Sequence, residues 1–286
     1  MTKPIIQPFF HEPTNSVTYL VADPATKVAA VIDPVLDYDP ASGTVDTSPA
    51  EKVLDFAAGQ GWRIILSLET HAHADHLSAA PLFKQRTGAT IAIGEGIREV
   101  QAVFRPMFEA EDVKEGGGDF DRLLKDKEEI ALGELAIEVM AVPGHTRADV
   151  AYKVADAVFV GDSLFMPDYG TARTDFPGGC AHLLYRSIQR ILSLPGETRL
   201  FMCHDYKAPG RDAFAWETTV AEQRSNVHLA GKSEEEFVAM REARDATLAT
   251  PKLLLPAIQV NIRAGRFPPA EANGVSYLKI PVTVRG

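Results

Sequence analysis

Short apolar runs bounded by turn residues alternate along this chain with longer amphipathic stretches. Residues 16–22 and 27–32 are two such runs joined by Asp23-Pro24-Ala25-Thr26, and they read as paired strands. Asp33-Pro34 closes the second, and residues 37–49, rich in Asp, Pro, Ser and Thr, read as a loop. Ser48, Pro49 and Glu51 supply an N-cap, a first-turn proline and an acid at N3 for a helix that stops near Gly59-Gln60-Gly61. A strand from Arg63 through the apolar run 64–68 comes next. A helix starting at Leu77 and ending at Gly88, and a short strand at 89–93, follow.

Residues 94–108 carry a helical pattern. Residues 109–127 are polar and read as an exposed excursion near a site's rim. Gly116-Gly117-Gly118 within them reads as a flexible connection, because the surrounding residues do not make a phosphate-binding loop. Strands are expected at 136–142, 150–154, 157–160 and 199–203, with a loop over 165–180 and a helix over 181–194. Two polar helical stretches, 213–229 and 233–249, precede a proline-rich C-terminal segment. Strands alternating with helices, without repeats or a clear linker, make an α/β pattern in one large unit.

Chemistry enters directly after the apolar run 64–68. His71, His73, Asp75 and His76 fall within six residues, spaced His-x-His-x-Asp-His, on the loop that leaves a strand. Open α/β sheets place their chemistry there. In an extended loop His71 and His73 point the same way and can share one ion. Imidazole suits Zn, Fe, Ni or Cu, whereas a carboxylate suits a harder ion or a second site. His145, Asp162 and His204 each follow another apolar strand. One histidine at a strand end is usually a hydrogen-bonded structural residue, but four strand ends all delivering ligands define a metal site.

Composition narrows the picture without changing it. With 45% hydrophobic and 24% charged residues, the chain has the make-up of an ordinary globular protein. Its net charge of -10 argues against nucleic-acid binding, and a negatively charged substrate would need a local basic patch. No apolar run suits a membrane span, and residues 1–8 lack the apolar core of a signal peptide, so a cytoplasmic location is expected. Two cysteines, Cys180 and Cys203, are too few for a disulfide framework. Cys203, at the end of a strand, reads as buried packing.

The pattern His71, His73, Asp75, His76, His145, Asp162, His204 resembles that of the metallo-β-lactamase superfamily. The resemblance implies an αββα sandwich, here with a catalytic domain over 1–230 and a C-terminal helical extension over 231–286 packed on it. The runs 170–176 and 204–206, with Lys207 to Arg211 and 216–220 after them, resemble the persulfide dioxygenases, in particular their bacterial β-lactamase hydrolase-like branch. That narrower resemblance implies one Fe(II) per chain on His71, His145 and Asp162, oxidation of glutathione persulfide by O2 to sulfite and glutathione, and a homodimer. It leaves His73, Asp75, His76 and His204 to orient ligands, or to hold a second metal, with Asp75, His76 and His204 in catalytic roles. Thr146, Arg173, Tyr206, Lys207 and Arg211 are the expected substrate contacts. The alternative is a glyoxalase II-like thioester hydrolase with two Zn ions. An export-dependent lactamase, a nuclease and a non-catalytic persulfide sensor fit less well.

Overall fold

The computed structural model describes residues 2–284. The first half contains strands β1 (Ile5–His11), β2 (Ser16–Asp23) and β3 (Val28–Ile32), then a hairpin of β4 (Val35–Asp39) and β5 (Thr44–Asp46). Helix α1 (Ser48–Gly59), β6 (Arg63–Glu69), the two-residue β7 (Leu77–Ser78) and α2 (Ala80–Thr87) follow. Strand β8 (Thr90–Gly94), α3 (Ile97–Met107) and β9 (Arg122–Leu124) end that half. The second half opens with β10 (Glu129–Leu132), β11 (Leu135–Ala141), β12 (Val150–Val154) and β13 (Ala157–Phe159). It continues through α4 (Ala181–Leu192), β14 (Arg199–Phe201), β15 (Glu217–Thr219) and α5 (Val220–Gln223), and closes with α6 (Glu234–Asp245) and α7 (Leu254–Asn261).

Two six-stranded sheets form, ordered β1-β2-β3-β6-β8-β9 and β10-β11-β12-β13-β14-β15. The period-2 geometry of a strand decides how they stack. In β2, Val17, Tyr19 and Val21 face the other sheet, while Leu20 and Ala22 face the helices outside. Val150, Tyr152 and Val154 of β12 likewise face inward, and Ala151 faces the outer layer. Both faces of these strands are therefore apolar, as a sheet covered on both sides requires. Helices α1, α2, α3 and α7 cover the first sheet; α4, α5 and α6 cover the second. This is the αββα sandwich. No described helix is long and apolar enough to cross a membrane.

Several local expectations give way to packing. Ser48 does not cap α1: Thr47 holds that position without a side-chain cap, and Ser48 bonds instead to Asp46. The segment after the histidine loop begins as β7, paired with β4, and α2 starts only at Ala80. Residues 37–49, expected to be a loop, contain most of the β4–β5 hairpin. The stretch 109–127 is not exposed throughout: Ala110, Val113 and Phe120 pack with Phe108, and β9 extends the first sheet. Their irregular spacing hides them from any periodicity search. Over 213–229 the β-branched Thr218 and Thr219 make β15, and Thr219 with Glu222 forms a capping box that starts only a four-residue helix.

The loop between β13 and α4 forms one wall of the site, and later elements clamp it. Arg241, 1% exposed, donates to Thr171 O and pairs with Asp245 at 2.7 Å. Asp245 also accepts from the Thr174 N–H. His228 Nδ1 accepts the Thr171 N–H at 3.0 Å, which requires that nitrogen to be unprotonated. Asp245→Ala would leave a buried guanidinium unpaired, and should cost about 3–5 kcal/mol in urea unfolding. Burial, followed by the charges of Arg241, Arg244 and Lys232, lowers the His228 pKa to about 4. An unfolded histidine titrates near ~6.5, so between these values the unfolded chain binds more protons. His228's contribution, up to about 3 kcal/mol before solvent screening, should be complete above pH ~6.5 and lost as pH falls toward about 4. A flatter pH–stability curve for His228→Gln, against wild type, would bear this out.

Candidate metal centre

The backbone segments that follow β3, β6, β11, β13 and β14 carry Asp33, the histidine loop, His145, Asp162 and His204. Their ligand atoms fall into two groups, each within 4.8 Å of one another: His71, His145 and Asp162, and beside them His73, Asp75, His76 and His204. Asp162 spans the two. Its Oδ2 lies 3.8 Å from His71 Nε2 and 3.6 Å from His145 Nε2, and its Oδ1 lies 3.4 Å from His204 Nε2. Asp75 Oδ2 lies 3.2 Å from the same His204 nitrogen.

Although close, these atoms do not hydrogen-bond to one another. Among the described residues, His71 Nε2, His73 Nδ1, both ring nitrogens of His76, Asp75 Oδ2, Asp162 Oδ1 and His204 Nε2 are buried without a partner. Each such atom costs about 1–3 kcal/mol when left unsatisfied. Lone pairs from six residues aimed into one small volume fit a metal cation, and the mixed imidazole and carboxylate set fits a transition metal.

The opposite side of most rings is anchored, which fixes the coordinating nitrogen. His145 Nδ1 donates to Arg173 O at 2.8 Å, and His204 Nδ1 donates to Asn15 O at 3.2 Å. Asp33 controls the other two. Its carboxylate accepts from Thr70 N at 2.7 Å, Thr70 Oγ1 at 2.9 Å and His73 Nε2 at 3.0 Å. Because Thr70 Oγ1 spends its proton on Asp33, it accepts from His71 Nδ1, 3.0 Å away. His71 is thereby left with Nε2 free and His73 with Nδ1 free. Asn261 of α7 holds the loop backbone, donating to His73 O and His76 O at 2.8 Å each.

Electrostatics favours the coordinating forms. Burial, with neighbouring imidazoles, drives His71 and His73 well below the usual histidine value, so both keep a lone pair at neutral pH. Burial alone would raise Asp75, but His204, His76 and His73 hold it well below its ordinary value. For His204, the carboxylates of Asp75 and Asp162 outweigh burial and raise the ring, which marks a position that favours positive charge. Cys203 lies within ligand distance of both groups, yet burial pushes its thiol well up, so it packs as a neutral side chain.

A cavity of about 170 Å³ opens onto Asp75, His145 and Asp162, and its walls include Phe165, Tyr169, Arg173, Phe176 and Tyr206. Of the five expected substrate contacts, only Arg173 and Tyr206 line it. Thr146 instead spends its N–H and hydroxyl on Asp149, at 2.7 and 2.6 Å. Arg211 is locked between Asp168 and Asp205, and Lys207 sits 4.1 Å from the Phe214 ring centroid. Arg173 itself is held by both oxygens of Asp175. Asp33, Thr70 and Asn261 escape a motif search. For Asp33 a signal does exist: like the ligands, it directly follows an apolar strand.

A sandwich whose strand ends gather buried histidines and carboxylates around one cation position defines a metal-dependent enzyme. The chain belongs to the metallo-β-lactamase superfamily, whose family model matches residues 11–204. It is 52% identical over 290 residues to a probable metallo-hydrolase of Burkholderia pseudomallei (strain 1710b), covering 97% of this chain and 98% of that one. A β-lactamase hydrolase-like protein of Agrobacterium fabrum is also 52% identical, over 98% of this chain, which spans 65% of that relative's length. The human mitochondrial persulfide dioxygenase ETHE1 is 30% identical, with 92% of this chain and 89% of that one covered. The crystal structure of ETHE1 from Myxococcus xanthus superposes with a TM-score of 0.74 at 31% identity, covering 92% of this chain and all of that one.

Asp33→Asn should weaken metal affinity about 10- to 100-fold while preserving the fold, because one carboxylate orients two ligands. Competition with a chromophoric chelator measures this, and unchanged affinity would show that the network does not orient them.

Proposed function

We propose that this chain is a persulfide dioxygenase that holds one Fe(II) on His71, His145 and Asp162. One observation carries the reading: two imidazoles and one carboxylate converge, and two of the three lie on the wall of an open cavity. Such a facial set leaves positions open and suits non-haem iron. The reaction consumes glutathione persulfide, O2 and water and gives glutathione, sulfite and two protons. Bound iron would supply the redox chemistry for joining O2 to sulfur, which zinc cannot supply. Identity to the human persulfide dioxygenase supports the same reading.

The remaining steps belong to the chain's own side chains. Phe165, Phe176, Tyr169 and Tyr206 give the cavity aromatic walls against which the substrate can pack beside the metal ligands. Arg173, pinned by Asp175, shapes the wall and anchors His145 through its carbonyl. His204 Nε2, with Asp75 at 3.2 Å, is placed to take up a proton released during turnover. His73 and His76 complete that second group and hold its geometry.

That second group also supports an alternative. His73, Asp75, His76 and His204 converge as tightly as the first set, and Asp162 reaches both. This is what a dinuclear thioester hydrolase of the glyoxalase II kind would need. Metal content and O2 uptake, measured on one anaerobically purified sample, separate the two. About one iron per chain, with O2 uptake and sulfite release on adding glutathione persulfide, is the expected result. Two zinc ions, no O2 uptake and turnover of S-lactoylglutathione would overturn it.

A further inference from the structure

Three guanidinium groups line the cavity above the metal ligands: Arg173, Arg241 and Arg244. Two are already neutralised. Arg173 donates to both Asp175 oxygens, at 2.6 and 2.7 Å, and to Ala249 O. Arg241 donates twice to Asp245 and once to Thr171 O. Arg244, one turn along α6 from Arg241, is exposed, and among the described residues it makes no ion pair and no side-chain hydrogen bond. On a chain of net charge -10, that is a cation whose donors remain unspent at a cavity wall. Leu248 and Pro251 supply apolar surface on the same wall. All four of Arg241, Arg244, Leu248 and Pro251 lie beyond the 11–204 span matched by the family model. The metal ligands and this wall therefore come from different parts of the sequence.

We propose that Arg244 is the specificity-determining residue of the site, binding a carboxylate on the tail of a thiol-derived substrate whose sulfur end faces the metal ligands. Arginine holds carboxylates by paired hydrogen bonds, and the aromatic and aliphatic lining can pack against the methylene groups that separate the amides of a peptidyl thiol. The inference rests on the proposed persulfide chemistry for the identity of the sulfur group, but the recognition of the carboxylate stands apart from it.

The test compares Arg244→Gln with wild type in two arms. In the first, O2 uptake is measured with glutathione persulfide and with the persulfide of 2-mercaptoethanol, which has no carboxylate. The variant should lower kcat/KM for the glutathione compound by about 10- to 100-fold, mostly through KM, and the neutral one at least tenfold less. Arg244→Lys should recover part of the loss. In the second, calorimetry follows binding of glutathione and of its diethyl ester to the metal-loaded protein. Glutathione should bind wild type more tightly than the ester, and the variant should erase that preference while keeping wild-type metal content. Equal losses on both persulfides, or an undiminished preference for glutathione over its ester, would overturn the assignment. So would a wild-type protein that does not distinguish glutathione from its ester. If wild type consumes no O2 with either persulfide, the dioxygenase reading falls, and the binding arm still decides the role of Arg244.

Discussion

The carboxylate of Asp33 is the constraint on which the site depends. It is 3% exposed at the end of β3, and it meets the loop after β6 through three hydrogen bonds. Parallel pairing of β3 with β6 makes this possible, because Ile32 lies opposite Leu68 and the two strand ends arrive side by side. The backbone of Asp33 has φ of +50°, a strained conformation for a residue other than glycine. The Asp33 N–H also donates to Leu68 O at 2.9 Å, tying the turn to the neighbouring strand. Local strain is thus offset by the three bonds that the Asp33 carboxylate accepts.

Much of the architecture was legible from periodicity alone. Strands buried on both faces leave continuous apolar runs, and those around Val17, Ile64 and Val150 stand clear of their flanks. The ligands were legible too, since His-x-His-x-Asp-His concentrates four donors in one loop and His145, Asp162 and His204 repeat its position. What failed to show were features that depend on contacts between distant segments. Nothing near Asn261 in sequence connects it to a loop some 185 positions earlier, yet its amide bonds both His73 O and His76 O. Basic residues misled for the same reason. Arg211 and Lys207 lie close to His204 along the chain, but Asp168, Asp205 and Phe214 claim them, while Arg244, unpaired among the described residues, comes from a helix that sequence order places far away.

Asp162 gives the two ligand groups a shared boundary. With one oxygen turned toward His71 and His145 and the other toward His204, occupancy of either side alters the field at the other. The number of ions held is then a property of the pair rather than of either group. Asp75, on the cavity wall, and the fully buried His204 favour each other's ionised form and so tune that balance.

Asn261 also binds the ligand loop to the end of the chain. Its carbonyl oxygen accepts the Ser78 N–H at 2.9 Å while its amide holds His73 O and His76 O, so one side chain ties down the second half of the motif and the start of the segment after it. Seating an ion in that loop and seating α7 against the first sheet are consequently linked equilibria, and linkage of this kind is reciprocal. Each ion that rigidifies the loop makes the C-terminal helix harder to peel away. Conversely, a nick or a destabilising change near α7 would be felt as a looser grip on metal far from the break.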